Sequence, residues 1–169
     1  MLTAIVYNTN SGYTREYAEL LAEKTGLPAY NIKNVIPPAA RGKDVLFMSW
    51  LMAGGLQGYK KAQKIFNVVG ACAVGMAPAS QGQGEEMEKK TGISPMFYLQ
   101  GGFDMNRLSG IYRFMMKVMC KKIMGDLSKV KEADWTEDQK GMYQMCTKGL
   151  NCVSEENLKD VLAWCEANK

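Results

Sequence analysis

Three stretches constrain this chain more than anything else in it: Leu2 to Tyr7 (LTAIVY), Asp44 to Trp50 (DVLFMSW) and Val68 to Gly75 (VVGACAVG). A strand with one wet face alternates apolar and polar residues. A strand that stays apolar at successive positions is covered on both faces, as in a parallel sheet. Leu27–Ile32 and Met96–Leu99 are two shorter runs of the same kind. Between the runs lie segments with helical spacing. Residues 14–25 place Tyr17, Leu20 and Leu21 on one face and stop at Gly26. Tyr59–Phe66 turns Ala62, Ile65 and Phe66 inward, and 83–91 reads as a short polar helix. Pro37-Pro38 marks a loop. Strands alternating with helices predict an α/β protein: a doubly wound, five-stranded parallel sheet in three layers, αβα. Ligands of such sheets bind beyond the carboxyl ends of the strands. Residues 8–14, 50–58, 76–82 and 100–106 converge there.

The 169 residues, 47% hydrophobic and 22% charged, fit one domain over 1–169, with an inserted basic amphipathic helical segment at about 103–150. No apolar run reaches the ~18 residues of a membrane span. The first residues carry no signal-peptide pattern, so a cytoplasmic location is expected. Cys72, Cys120, Cys146, Cys152 and Cys165 are odd in number and contain no C-x-x-C, which argues against a disulfide framework or a zinc site. The chain has no histidine, so Ser-His-Asp and Cys-His catalysis are excluded. Acid–base work falls to carboxylates, Lys, Tyr or Cys, or a cofactor carries the chemistry. A net charge of +4 permits an anionic ligand or surface without demanding one, and no nucleic-acid partner is expected.

Thr9-Asn10-Ser11-Gly12-Tyr13-Thr14 separates the first strand from the first helix. A helix N-terminus offers unpaired N–H groups and a positive dipole end. Gly12 lets the backbone approach a ligand, and Thr9, Ser11 and Thr14 add hydroxyl donors without charge. The loop has no Lys and no G-x-x-x-x-G-K, so it is not a triphosphatase loop. A single phosphate held by neutral donors fits it. An ordinary helix cap is the alternative, although a cap needs one such residue and the loop holds three.

T-x-S-G-x-T directly after a first strand resembles the FMN-phosphate loop of the flavodoxin family, and the order of strands and helices resembles that family to about residue 100. Two further stretches, Met48-Ser49-Trp50 running into Ala53-Gly54-Gly55 and IYRFMMKVMCKKIMG from Ile111 to Gly125, are similar to the branch of menaquinone-dependent protoporphyrinogen dehydrogenase. The resemblance implies FMN as cofactor. Thr9, Asn10, Ser11, Gly12, Tyr13 and Thr14 would hold its phosphate. Ser49, Trp50, Leu51, Met52, Ala53 and Gly54 would lie beside the isoalloxazine, with Gly55 closing that loop. Met76, Ala77, Pro78 and Ala79, extending to Ser80, would lie on the ring's other side. The third loop, MAPASQGQG, lacks the stacking aromatic of electron-carrier flavodoxins, which leaves Trp50 as the stacking candidate, with core packing as its alternative role. Gln81-Gly82-Gln83-Gly84 has no third glycine and is discounted as a dinucleotide signal.

Arg107–Met124 has helical spacing, with Leu108, Ile111, Tyr112, Met115 and Met119 expected inward. Arg113, Lys117 and Lys121 form an i, i+4 stripe opposite. The stripe suits an anionic membrane surface contacted peripherally, an acidic partner or a substrate with carboxylates; a solvated helix back is the plain alternative. Thr136 to Gln139 has the form of a capping box. Ser154 is expected to cap a last helix whose inner face is Leu158, Val161, Leu162 and Cys165. Three functions stay open: an FMN-dependent oxidoreductase acting on a porphyrinogen or quinone, a flavodoxin-type electron carrier, and a flavodoxin-fold binding module that has lost FMN.

Overall fold

A computed structural model describes residues 1–80 and 82–169. Gln81, part of the third loop and of the discounted glycine segment, lies outside the described residues. The chain divides into two compact units: Met1–Gly101 with Cys152–Lys169, and Gly102–Asn151.

The first unit is built on strands β1 (Ala4–Asn8), β2 (Ala29–Asn31), β3 (Asp44–Met52), β4 (Gly55–Leu56), β5 (Asn67–Gly75) and β6 (Met96–Gln100). Its helices are α1 (Tyr13–Thr25), α2 (Tyr59–Ile65), α3 (Gln83–Thr91) and α6 (Lys159–Asn168). The sheet runs β2-β1-β3-β5-β6, all parallel, and β4 pairs antiparallel with the end of β3. Strand pleating sorts the side chains. Ile5 and Tyr7, Leu46 and Met48, and Cys72 and Val74 form one core with Tyr17, Ala18 and Leu21 of α1 and Val161 and Cys165 of α6. Ala4, Val6, Val45 and Phe47 meet Ala62 of α2 on the other face, and Ala71 and Ala73 meet Met96 and Met87 of α3 there. Helices therefore flank both faces, as the unbroken apolar runs require. Side chains such as Leu21, Ile5 and Leu46 are fully buried and each contributes about 1.5–3 kcal/mol relative to exposure.

Several boundaries differ from the sequence reading. β1 starts two residues later than expected and β2 is only three residues long. β3 continues two residues past Trp50 and folds back into β4, so Ser49 to Gly55 form a hairpin where a loop was expected. Leu20 is only partly buried, and Ala18 takes the inward place beside Tyr17 and Leu21. Ser154 accepts a long contact from Asn157 N at 3.4 Å in the turn before α6; the cap position of α6 itself is Leu158.

The second unit holds a two-stranded antiparallel ribbon, β7 (Gly102–Phe103) with β8 (Leu150–Asn151), and helices α4 (Gly110–Leu127) and α5 (Glu137–Lys148). Thr136 forms the expected capping box with Gln139 in both directions. The inner face of α4 is rotated from expectation. Cys120 and Leu127 are its buried residues, whereas Ile111 and Met115 are exposed. All five cysteines are free thiols. Burial, reinforced by the neighbouring Cys120 thiol, pushes Cys146 up to about 12, so it stays protonated.

One buried network fixes where the first unit's chain departs and returns. The Tyr17 hydroxyl donates to Gln100 O at 2.5 Å and accepts from Asn157 Nδ2 at 2.7 Å. The second Asn157 amide hydrogen goes to Cys152 O at 2.7 Å. Burial raises the Tyr17 phenol above its ordinary value, which keeps it a neutral donor. Tyr17→Phe keeps the ring and removes the donor to Gln100 O and the acceptor for one Asn157 amide hydrogen, both half-buried, at about 1–3 kcal/mol. The expected result is a lower denaturation midpoint in urea with an unchanged slope; an unchanged midpoint removes the network from the accounting of stability.

Candidate functional site

The sheet's strand order reverses at β1. From it the chain moves outward to β2, then across to β3 on the other side. The crevice at the carboxyl ends of β1 and β3 is therefore the topological switch point, where an open α/β sheet accepts a ligand. Asn8 and Ser49 are register partners at that edge.

On the β1 side the loop turns sharply. Gly12 has φ 99°, a left-handed conformation that a side chain would strain. Its N–H donates to Thr9 Oγ1 at 3.0 Å, which leaves the Thr9 hydroxyl proton available. The first i to i−4 bond of α1 is Glu16 N to Gly12 O at 3.0 Å. The amides of Thr14 and Arg15 precede it, and no side chain caps the helix. Thr14, in the first turn, is 2% exposed. Ser11 and Asn10 are half-buried. A helix that starts without a side-chain cap, with the hydroxyl side chains of Thr9, Ser11 and Thr14 at its start, is an arrangement that can receive an anion. Lys33, from the turn after β2, donates its Nζ to Thr9 O at 2.6 Å and brings a cation to this loop. Lys61 ties that turn down through Ile32 O at 2.8 Å.

On the β3 side, Gln57 O gathers two donors: Ser49 Oγ at 2.6 Å and Asn8 Nδ2 at 2.9 Å. Gly58, at φ 80°, passes so close to Asn8 that a Cβ there would lie 3.0 Å from Nδ2. Asn8 is 7% exposed and its buried Oδ1 has no hydrogen-bond partner among the described residues. Buried acceptors are rarely left so, and this one lies at the carboxyl end of β1. Trp50 is half-buried beside Val74 of β5, on the pleat face of Leu46 and Met48. Leu51 is half-buried, and Met52, Ala53 and Gly54 are exposed on the hairpin. Met76, Ala77, Pro78, Ala79 and Ser80 are exposed or nearly so after β5. Tyr98 holds the start of that segment by donating to Ala77 O at 2.8 Å. Burial raises the Tyr98 phenol, so it remains a donor there.

The first expected loop thus brings its donors together around one helix start. Ser49 is spent on the hairpin rather than offered outward. Lys33 and Tyr98 fall outside the loops expected from the sequence, whereas Asn8, Gln57 and Gly58 lie inside the expected segments 8–14 and 50–58 but were given no individual role. The only signal for Lys33 was a cation two residues past a short strand; Asn8 carried one as the last polar residue of β1. A shallow depression lined by Trp135, Lys140, Tyr143 and Thr147 lies within the second unit and includes no expected ligand. Among the described residues no group of three or more His, Cys, Asp or Glu side chains could hold a metal ion, and no helix is long and apolar enough to cross a membrane. No protein-family model matches the chain, and no characterised protein does at a significant level.

The hairpin at the crevice carries strain of its own. Ala53 and Gly54 both have positive φ, 49° and 76°, the pattern of a two-residue type I′ turn. The left-handed region costs an alanine about 1–2 kcal/mol, and asparagine tolerates it better. Ala53→Asn should stabilise the protein by about 0.5–1 kcal/mol, which raises Tm by roughly 2–4 °C per kcal/mol at this size. A Tm that falls in thermal unfolding contradicts the turn geometry.

Proposed function

We propose that the chain is a flavodoxin-like protein that binds FMN at the switch point between β1 and β3 and works as an oxidoreductase. The observation that carries this is the start of α1: a helix end without a side-chain cap, a left-handed Gly12 and three hydroxyl residues, Thr9, Ser11 and Thr14, gathered there. Counting parallel strands alone, the sheet order is 2-1-3-4-5, the order of the flavodoxin-like class; it supports the finer fold assignment. The loop is short and suits one terminal phosphate, which favours FMN over FAD.

In this reading Thr14 Oγ1, Ser11 Oγ, the Thr9 hydroxyl and the amides of Thr14 and Arg15 receive the phosphate. Lys33 adds a positive charge from outside the loop. Asn8 Oδ1 accepts a donor from the ligand at the β1–β3 edge. Trp50 and the Met52–Gly54 turn border one side of the crevice, and Met76 to Ser80 border the other, where they limit water access. FMN, when bound, supplies one- or two-electron redox chemistry, which a chain without histidine does not need to provide itself. The resemblance of the sequence points to a porphyrinogen or quinone as the substrate class. A second reading, electron carriage between redox enzymes, uses the same site; the basic balance of the chain disfavours it, because carrier flavodoxins present an acidic rim. The intact Thr9–Thr14 loop disfavours the third reading, a binding module that has lost FMN.

Fluorescence titration of the flavin-free protein with FMN, FAD and riboflavin tests the assignment. A hydrogen bond to a charged group is worth about 1.5–3 kcal/mol, so Thr14→Val should weaken FMN binding ~10-fold or more and leave riboflavin binding unchanged. Lys33→Gln should weaken FMN more at low salt than at high salt, because the cation is exposed and screened. Equal affinity of the wild type for FMN and riboflavin sinks the phosphate-loop assignment.

A further inference from the structure

The second unit displays an apolar helix face that its own packing does not use. On α4, Ile111 and Phe114 are each 63% exposed, Val118 54% and Met115 52%. At about 100° per residue these four fall within roughly a 100° arc, and Ile111 to Val118 spans about 10 Å of helix. Tyr112, Met116, Met119, Cys120, Ile123 and Leu127 are less exposed and lie on the opposite arc. The outward stripe is therefore a second apolar arc, turned away from buried Cys120 and Leu127. Its border is cationic. Lys121 lies on one side of the stripe and Lys122 near its C-terminal end, while Arg113 and Lys117 approach the same border from the polar flank. All four are exposed, none is ion-paired among the described residues, and no acidic residue occurs between Arg107 and Gly125.

We propose that this face of α4 docks on an anionic lipid surface, with Ile111, Phe114, Met115 and Val118 entering the headgroup–acyl boundary and Arg113, Lys117, Lys121 and Lys122 meeting the headgroups. Charge complementarity selects this occupant. A second copy docking face to face sets two basic borders against each other, and the one carboxylate on α4, Asp126 at its C-terminal end, is already paired with Lys129 at 2.7 Å. One convex stripe of four side chains also falls well short of the roughly 800 Å² per partner of a standard protein interface. A fluid boundary makes no such demand. Interfacial helices insert their apolar face only about 5–10 Å, which matches side chains standing out from one helix. The long lysine stems lie along the apolar arc while their ammonium groups stay at headgroup level. The stripe shares no residue with the β1–β3 crevice, and the proposal holds whether or not FMN binds.

Sedimentation of the full chain with phosphatidylcholine vesicles, and with vesicles of phosphatidylcholine mixed with phosphatidylglycerol, tests it. The wild type should bind the anionic vesicles at least tenfold more tightly than the neutral ones, reversibly, and release as salt rises. Each cation near the surface contributes roughly fivefold, so Lys117→Gln with Lys121→Gln should lower binding about 25-fold. Ile111→Ser with Phe114→Ser should lower it at least tenfold even at low salt, with unchanged helix content by circular dichroism. Tryptophan emission from Phe114→Trp should shift to the blue on anionic vesicles. Wild-type protein that binds neither vesicle, or undiminished binding by the double serine variant, overturns the proposal. A wild-type dimer in sedimentation velocity that the serine substitutions dissolve also overturns it, and assigns the face to a second copy.

Discussion

Parallel pairing of β1, β3, β5 and β6 governs the rest of the first unit. Adjacent parallel strands need a crossover, and the crossovers lay helices over both faces of the sheet. α1 and α6 close one face, and α2 and α3 lie toward the other. With both faces sealed, the carboxyl edge is where the chain can leave backbone and side-chain groups unpaired without burying them in a dry core. The polar exceptions gather there. Among the described residues, Asn8, Thr14 and Ser49 are three of the four buried polar side chains, and all three lie at the ends of β1 and β3 or at the start of α1.

The sealed sheet was legible because its signal is redundant. Unbroken apolarity at Val45 to Met48 and at Ala71 to Val74 admits only two-sided burial, and each flanking helix needed one apolar stripe to confirm it. The phosphate-type loop was legible for a local reason: Gly12 and three hydroxyl residues belong to contiguous chain. The hairpin after Trp50 was hidden because its turn places Ala53, a poor left-handed residue, where asparagine or glycine would have marked it. Lys33 and Asn8 were hidden because their roles depend on register between distant strands, which no local pattern encodes.

α4 went wrong for a different reason. It carries apolar side chains on two arcs, Ile111, Phe114, Met115 and Val118 on one and Met116, Cys120, Ile123 and Leu127 on the other. Spacing alone cannot tell which arc meets α5. The choice between them is made by tertiary packing, as Cys120 and Leu127 become the buried pair. Periodicity identifies a helix reliably and its inner face only when one arc is polar.

The β1–β3 edge couples two demands that usually compete. Gln57 O takes donors from both Ser49 and Asn8, so the hairpin and the end of β1 are tied at one atom. That bond uses the amide half of Asn8 and leaves its carbonyl oxygen without a partner among the described residues. The same side chain is therefore rigid and incompletely satisfied. Rigidity fixes where the unsatisfied oxygen sits, and the missing bond is a cost of about 1–3 kcal/mol that a suitable donor would offset on binding. Thr14 lies one loop away, where the first turn of α1 fixes its position. Preorganised polar side chains on neighbouring elements are what a binding crevice requires, and they occur together where the strand order reverses.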